Sequence, residues 1–180
     1  LKPHSIRSFF LLTLLGLLLS ACATKINTIK SNTSHRLNDS EGYLLLGLDA
    51  NESLQSLALT GKKHVMFTSE DLKYGSNYLL AKLPAGDYRI ERVRINKYSG
   101  FKLLGDVWDI EVVEGNISYG GNVRVNPNGP RYPIELINHS SGALEYIEQY
   151  HPGILTSHKL RYSGQGEDKF FKLVRGELNK

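Results

Sequence analysis

Two carboxylates flank the chain's single tryptophan, Asp106 and Asp109 on either side of Trp108. Carboxylate pairs beside an aromatic ring are the equipment of glycoside hydrolysis, but residues three apart on a strand point to opposite faces. The pair therefore reads as solvent-facing polarity at the start of a strand. Asn138-His139-Ser140-Ser141 sets a base next to two hydroxyls. Acyl transfer needs those groups matched in space rather than in sequence, and no G-x-S-x-G precedes a helix. His35, His64, His139, His151 and His158 form no H-E-x-x-H motif and no i, i+4 pair, and with one cysteine there is no thiolate zinc site. No metal and no cofactor is expected. Gly164-Gln165-Gly166 lacks the Lys-Ser/Thr that grips phosphate, and Gly120-Gly121 interrupts a strand pattern, as a bulge or a close backbone approach would.

One further residue has chemistry assigned by its place in the chain. Cys22, the only cysteine, follows Lys2 and Arg7, then an apolar run from Phe9 to Leu19 broken by Thr13 and Gly16, then the small residues Ser20 and Ala21. That order is a signal peptide, residues 1–21. The run is well short of the ~20 apolar residues that span a bilayer. Ordinary secretory cleavage needs no cysteine, and the sole thiol has no partner for a disulfide. Leu19-Ser20-Ala21-Cys22 resembles the lipobox of bacterial lipoproteins. The resemblance implies that the Cys22 sulfur receives diacylglycerol, that cleavage makes Cys22 the first mature residue, and that a fatty acid such as palmitate joins its new amine. At ~0.8 kcal/mol per buried CH₂, two or three such chains hold firmly where one does not. Ala23 is not the Asp that retains such lipoproteins in the inner membrane. The resemblance therefore implies the periplasmic face of an outer membrane, or the plasma membrane in a Gram-positive host.

Removing residues 1–21 takes away Lys2, Arg7 and no acid, so the net charge falls from +4 to +2. Acids and bases then alternate, as in Arg89-Ile90-Glu91-Arg92, without the dense basic stripe of a nucleic-acid binder. Residues 22–40 combine the acylated cysteine with Ser, Thr, Asn and Lys and isolated apolar residues. Such a stretch cannot offset its ordering entropy, so a flexible cord is expected, ~60 Å long at ~3.4 Å per residue. A first edge strand near Ile26 to Ile29 is the alternative.

From residue 41 to 180 the sequence reads as one domain. Short apolar segments alternate with turns, an all-β signature. Tyr43 to Leu48 is nearly continuous apolar, as in a strand covered on both faces. Leu83-Pro84-Ala85-Gly86 is a turn, after which Tyr88 and Ile90 have one parity and Val93 and Ile95 the other. Either a bulge near Glu91 or Arg92 resets the pleat, or the strand is buried on different sides in its two halves. Trp108, Ile110 and Val112 share a face, and Ile117, Tyr119, Gly121, Val123 and Val125 keep period two beyond Glu114-Gly115-Asn116. These predict a hairpin with Trp108 and Tyr119 as a cross-strand aromatic pair. About seven strands and a short C-terminal helix, capped by Ser141 and ended by His151-Pro152-Gly153, predict a small antiparallel β-sandwich with a helical extension. Lys169 to Arg175 suits an edge strand or a helix. LPAGDYRIERV followed by WDIEVVEGNISYGGNVRV resembles prealbumin-like and carboxypeptidase regulatory-like lipoprotein domains, a resemblance that speaks to fold rather than task.

The expectation is a non-enzymatic envelope lipoprotein held in the bilayer through acylated Cys22, with an envelope protein as its partner and no nucleic acid. The alternative is a peptidoglycan or polysaccharide module using Trp108 and Tyr119 as binding aromatics. An envelope enzyme would require His139, Asp106 or Glu135 to converge in one pocket.

Overall fold

A computed structural model of the chain describes residues 23–30, 32, 36–126 and 134–176. Cys22 and residues 1–21, read above as a signal peptide, lie outside the described residues, as do 127–133. In chain order the strands are β1 (Thr24–Lys25), β2 (Glu41–Ala50), β3 (Ser56–Gly61), β4 (Val65–Thr68), β5 (Gly75–Pro84), β6 (Gly86–Arg94), β7 (Gly100–Lys102), β8 (Asp109–Val112), β9 (Ile117–Val125) and β10 (Ile134–Ile137). Then follow α1 (Ser140–Tyr150), α2 (Pro152–Ser157), β11 (Leu160–Tyr162) and α3 (Phe170–Val174), with a 3-10 turn at Asp106–Trp108 before β8.

The expected β-sandwich is present. Its first sheet runs β1-β4-β3-β6-β7 with β8 also on β6, and its second runs β10-β9-β2-β5 with β11 also on β9. The sheets are mixed rather than wholly antiparallel, since β1 runs parallel to β4 and β9 parallel to both β2 and β11. Several strands are too short to leave a periodic signal, which is why the count exceeds the sequence estimate.

Two apolar layers result. Leu44, Leu46 and Leu48 of β2 face the first sheet, where they meet Leu57, Leu59, Phe67, Ile90 and Val93. Tyr43 and Leu45 face the other way, into a second layer with Leu80, Ala143, Ile147, Ile154 and Phe171 from β5 and the helices. Tyr43 to Leu48 is thus apolar throughout because β2 is covered on both faces, as its composition implied.

Two bulges set the faces. On β3, Ala58 pairs with Arg92 but Leu59 pairs with Ile90, leaving Glu91 as the extra residue. Tyr88, Ile90 and Val93 all point inward in consequence. In the parallel pair, Leu45 sits opposite Tyr119 and Gly47 opposite Asn122, so Gly120-Gly121 opposes Leu46 alone. Gly121 has φ 105, the left-handed region that favours glycine. A Cβ on Gly120 would lie 2.9 Å from Leu46 Cδ2 and 3.0 Å from Ile110 Cγ2 of the facing sheet.

The predicted hairpin is corrected. β8 pairs with Gly86–Arg89 of β6 while β9 pairs with β2, so Glu114-Gly115-Asn116 joins strands of opposite sheets. Alternation states that each strand has one apolar face and leaves its hydrogen-bond partner open. Leu83-Pro84-Ala85-Gly86 is likewise a corner between sheets, tied by the Tyr88 hydroxyl donating to Pro84 O at 3.0 Å. The cord expected at 22–40 is docked where it is described. Thr24 and Ile26 donate to His64 O and Met66 O at 2.9 and 3.0 Å, and Ile29 crosses to the second sheet to donate to Leu80 O at 2.7 Å. The segment closes one open side of the sandwich and protects strand edges.

Burial pushes the Tyr88 hydroxyl up to about 12. Its pKa in the folded state exceeds that of an unfolded tyrosine, so stability is complete below pH 10 and declines as pH rises toward 12. Tyr88→Phe should remove that contribution to the alkaline decline and the hydroxyl bond, lowering stability near neutrality by about 1 kcal/mol. Urea unfolding at neutral and alkaline pH measures both effects.

Candidate functional site

The outward face of the second sheet is only partly covered by α1, and the uncovered part is a polar, aromatic cleft. Past the glycine bulge, β9 directs Asn122 and Arg124 toward it, β2 contributes Asp49, and β5 contributes Tyr78. The opposite wall is α1, through Glu145 and Tyr146 on its first two turns and Tyr150 at its end.

Local chemistry places α1. Ala143 and Ile147 are buried against the sheet, four apart as one helical face requires. The helix begins at Ser140, and no side chain of its N-cap residue bonds the first turn. Asn138 Oδ1 instead accepts from the Ser140 amide at 3.1 Å, correcting the cap expected from Ser141. Asn138 Nδ2 donates to Asp168 Oδ2 at 2.7 Å, and Asp168 Oδ1 accepts from the Phe170 amide at 2.7 Å, fastening α3 to the start of α1. Gly142 permits the close approach to the sheet, since a Cβ there would be 2.7 Å from the Tyr78 hydroxyl.

The floor is a fixed network. Tyr119 donates to Asn122 Oδ1 at 2.7 Å and accepts from the His139 amide at 2.9 Å. Gly47 makes room for that amide group, as a Cβ there would fall 1.8 Å from Asn122 Oδ1. Burial drives the Tyr119 hydroxyl far above the ordinary tyrosine value, so it stays protonated and serves as a donor. Burial also raises Tyr78, against the lowering effect of its bond to Asn122. Tyr78 and Tyr146 stack at 4.8 Å with planes 24° apart, and the Tyr150 ring follows at 5.1 Å from Tyr146. Arg124 lies 3.5 Å from Asp49 and 3.6 Å from Glu135, so the rim carries both signs of charge.

The sequence-derived candidates fare differently. Trp108 is 6% exposed in the layer between the sheets, and Tyr119 is fully buried on the helix side of the second sheet. Neither offers a ring to a ligand, and the second sheet separates them, so the expected aromatic pair is also corrected. Asp106 is exposed on the 3-10 turn and Asp109 pairs with Arg89, so these carboxylates do not face each other across a cleft. His139 lines the cleft, Glu135 reaches Arg124 from β10, and Asp106 belongs to the other sheet's side. The three do not converge. Ser140 Oγ is engaged with Asp168 and Asn138 rather than with His139. Among the described residues no cluster of three or more His, Cys, Asp or Glu could hold a metal, and no helix is long and apolar enough to cross a membrane.

The cleft residues passed over in the sequence are Tyr78, Asn122, Arg124, Tyr146 and Tyr150. Tyr146 and Tyr150 stand i, i+4 on α1, a spacing that would have marked one helix face. Nothing local announced that β5 and β9 would meet that face. The arrangement can stack a planar or apolar group on tyrosine, hydrogen-bond it to fixed amides and orient it by charge. The Tyr146 hydroxyl is held 3.2 Å from His151 Nε2. No protein-family model, no curated protein and no solved structure matches this chain.

Burial raises the Asp168 carboxyl, but hydrogen bonds from Ser140, Asn138 and the Phe170 amide outweigh it and hold the group below the ordinary carboxylate value. Its stabilising effect is present above the unfolded pKa of 3.8 and is lost as pH falls through the depressed folded value. Asp168→Asn should weaken the junction of α1 and α3 by about 1–2 kcal/mol at neutral pH and flatten the acid limb. Unfolding followed by near-UV circular dichroism across pH 2 to 7, ~5 pH units, measures it.

Proposed function

We propose that this chain is a lipid-anchored lipoprotein of the cell envelope whose sandwich is a non-enzymatic binding module, taking a segment of an envelope protein into the cleft between β5, β9 and α1. The observation that carries the reading is the stacked pair Tyr78 and Tyr146 beside the 54% exposed Tyr150, above a floor whose hydrogen bonds are already made. Tyrosines supply contact area at small entropic cost, with the hydroxyls left for polar contacts. The mixed charges of Arg124, Asp49 and Glu145 suit a polypeptide better than a uniformly anionic ligand. The anchor rests on the order Leu19-Ser20-Ala21-Cys22, and Ala23 after it favours the outer membrane's periplasmic face, or the plasma membrane in a Gram-positive envelope.

A photo-crosslinking residue at Tyr150 should capture one discrete protein in cells, and the same residue at Tyr74, 71% exposed outside the cleft, should not. Arg124→Ala combined with Tyr146→Ala should reduce capture at least tenfold, the loss of a modest interfacial hot spot. Radiolabelled palmitate entering the parent and not Cys22→Ala tests the anchor separately. A second reading, peptidoglycan binding, is favoured by the exposed Tyr150 ring in a cleft that also presents polar side chains. Recovery of muropeptides in place of a protein would select it.

A further inference from the structure

The outer face of the first sheet bears cations that no described carboxylate pairs with. Past its bulge, β6 turns Arg92 and Arg94 into solvent, and the register sets Arg92 directly opposite Lys102 of β7. Like charges in that position weaken a strand pair. Lys97 stands in the turn between the same strands, its Nζ 4.7 Å from the centre of the Tyr98 ring. Elsewhere on this face acidic groups accompany the basic ones: Lys25 lies 2.9 Å from Glu70, His64 3.7 Å from Glu91, Arg89 pairs with Asp109, and exposed Asp87 stands opposite Glu111, so the positive excess belongs to the β7 side of the face. Among the described residues no carboxylate forms an ion pair with Arg92, Arg94, Lys97 or Lys102. Two large side chains project from the same region without cover, Tyr98 at 87% exposure and Leu104 at 75%.

The chain's own N-terminal side arrives at this face. Ala23 lines one shallow depression with Arg92 and Arg94, over the small residues Ser56 and Ala58. Thr24 is already bonded to His64 O at 2.9 Å. From Cys22 to the first paired residue there are two steps of chain, ~7 Å at full extension. An acyl group on Cys22 would therefore bring the bilayer against this sheet rather than suspend the domain far from it.

We propose that the outer face of the first sheet docks on an anionic phospholipid surface, with Arg92, Arg94, Lys97 and Lys102 on the phosphodiester headgroups and Tyr98 and Leu104 entering the headgroup layer. The orientation rests on the lipid-anchor reading above; the charge complementarity does not. Docking turns the opposite side of the molecule, where the tyrosine cleft lies beyond the second sheet, away from the membrane and toward partners.

The test uses the mature chain, residues 22–180, carrying Cys22→Ser, so that neither acylation nor the apolar run of residues 9–19 plays a part, floated with vesicles of phosphatidylcholine alone or mixed with phosphatidylglycerol. Preference for the anionic vesicles should fall roughly a hundredfold in Arg92→Gln/Arg94→Gln/Lys102→Gln, at about fivefold per cation. It should vanish for the parent near ~1 M salt, where the screening length is ~3 Å. Lys172→Gln, on α3 at the far side, should change little. The triple variant should unfold at the same temperature as the parent or higher, because cross-strand repulsion is relieved. Equal binding to both vesicles, or no difference between parent and triple variant, overturns the proposal. So does a cation-dependent affinity for soluble polyglutamate that exceeds the affinity for anionic vesicles, since the face would then serve an acidic polypeptide. Palmitate labelling of the parent reports on the anchor independently, so failure of the anchor and failure of the docking face are read from different experiments.

Discussion

The fold depends on two places where a strand changes the face it presents. In β9 the change occurs at Gly120-Gly121, so that Ile117 and Tyr119 enter the helix-side layer while Val123 and Val125 enter the layer between the sheets. An unbroken strand would send one of these pairs to the wrong side. Burial of each large apolar side chain contributes about 1.5–3 kcal/mol, against roughly 1 kcal/mol for fixing a glycine in an extended element. The bulge wins, and glycine is the residue that makes it available. In β6 the extra residue is Glu91, which can sit on the solvent side because the sheet's outer face carries no helix.

The two bulged strands organise their sheets in the same way. The free edge of β6 is shared by β8 before the bulge and β7 after it, and that of β9 by β11 before and β10 after. A bulge bends and twists its strand; β3 and β2 follow the opposite edges past the bulges with a shift of register, whereas two short strands divide each of these edges. From this follow the sites. The β9 bulge turns Asn122 and Arg124 toward α1 and makes the cleft floor, and the β6 bulge turns Arg92 and Arg94 outward and makes the cationic face.

The cleft and the cationic face lie on opposite sides of a three-layer body, a division of surfaces that the proposed membrane docking and the proposed partner binding would both use. Coverage by helices explains the asymmetry. The outer side of the second sheet has apolar Tyr43, Leu45, Leu80 and Ile117, which demand a cover, and α1, α2 and α3 supply it. The outer side of the first sheet has Arg92, Arg94 and Lys102, which solvent or an anion satisfies. Thr24 and Ile26 fasten the N-terminal side to the first sheet, and Ile29 fastens it to the second.

Strand positions, the doubly covered β2, the β6 bulge and the glycine irregularity at 120–121 were legible because each is a local statement about parity, composition or backbone freedom. Partner choice was not. Alternation in β8 and β9 is equally compatible with a hairpin and with a step between sheets, and the pairing of β8 with β6, with Trp108, Ile110 and Val112 buried between the layers, is the second. β11 and α3 left little signal because three to five residues are too few for a period to declare itself. The tyrosine cleft draws Tyr78, Asn122 and Tyr146 from three elements far apart in the chain, and Trp108 and Tyr119 were unavailable for the reason that makes aromatics conspicuous in sequence, their large area gained by burial. The amino-acid order by itself determined the main strands and marked Gly120-Gly121 as an irregularity, since both follow from side-chain period and glycine geometry. Tertiary structure alone decided which strands meet, which aromatics remain at the surface and where unmatched charges gather, because those depend on contacts between residues that are distant along the chain.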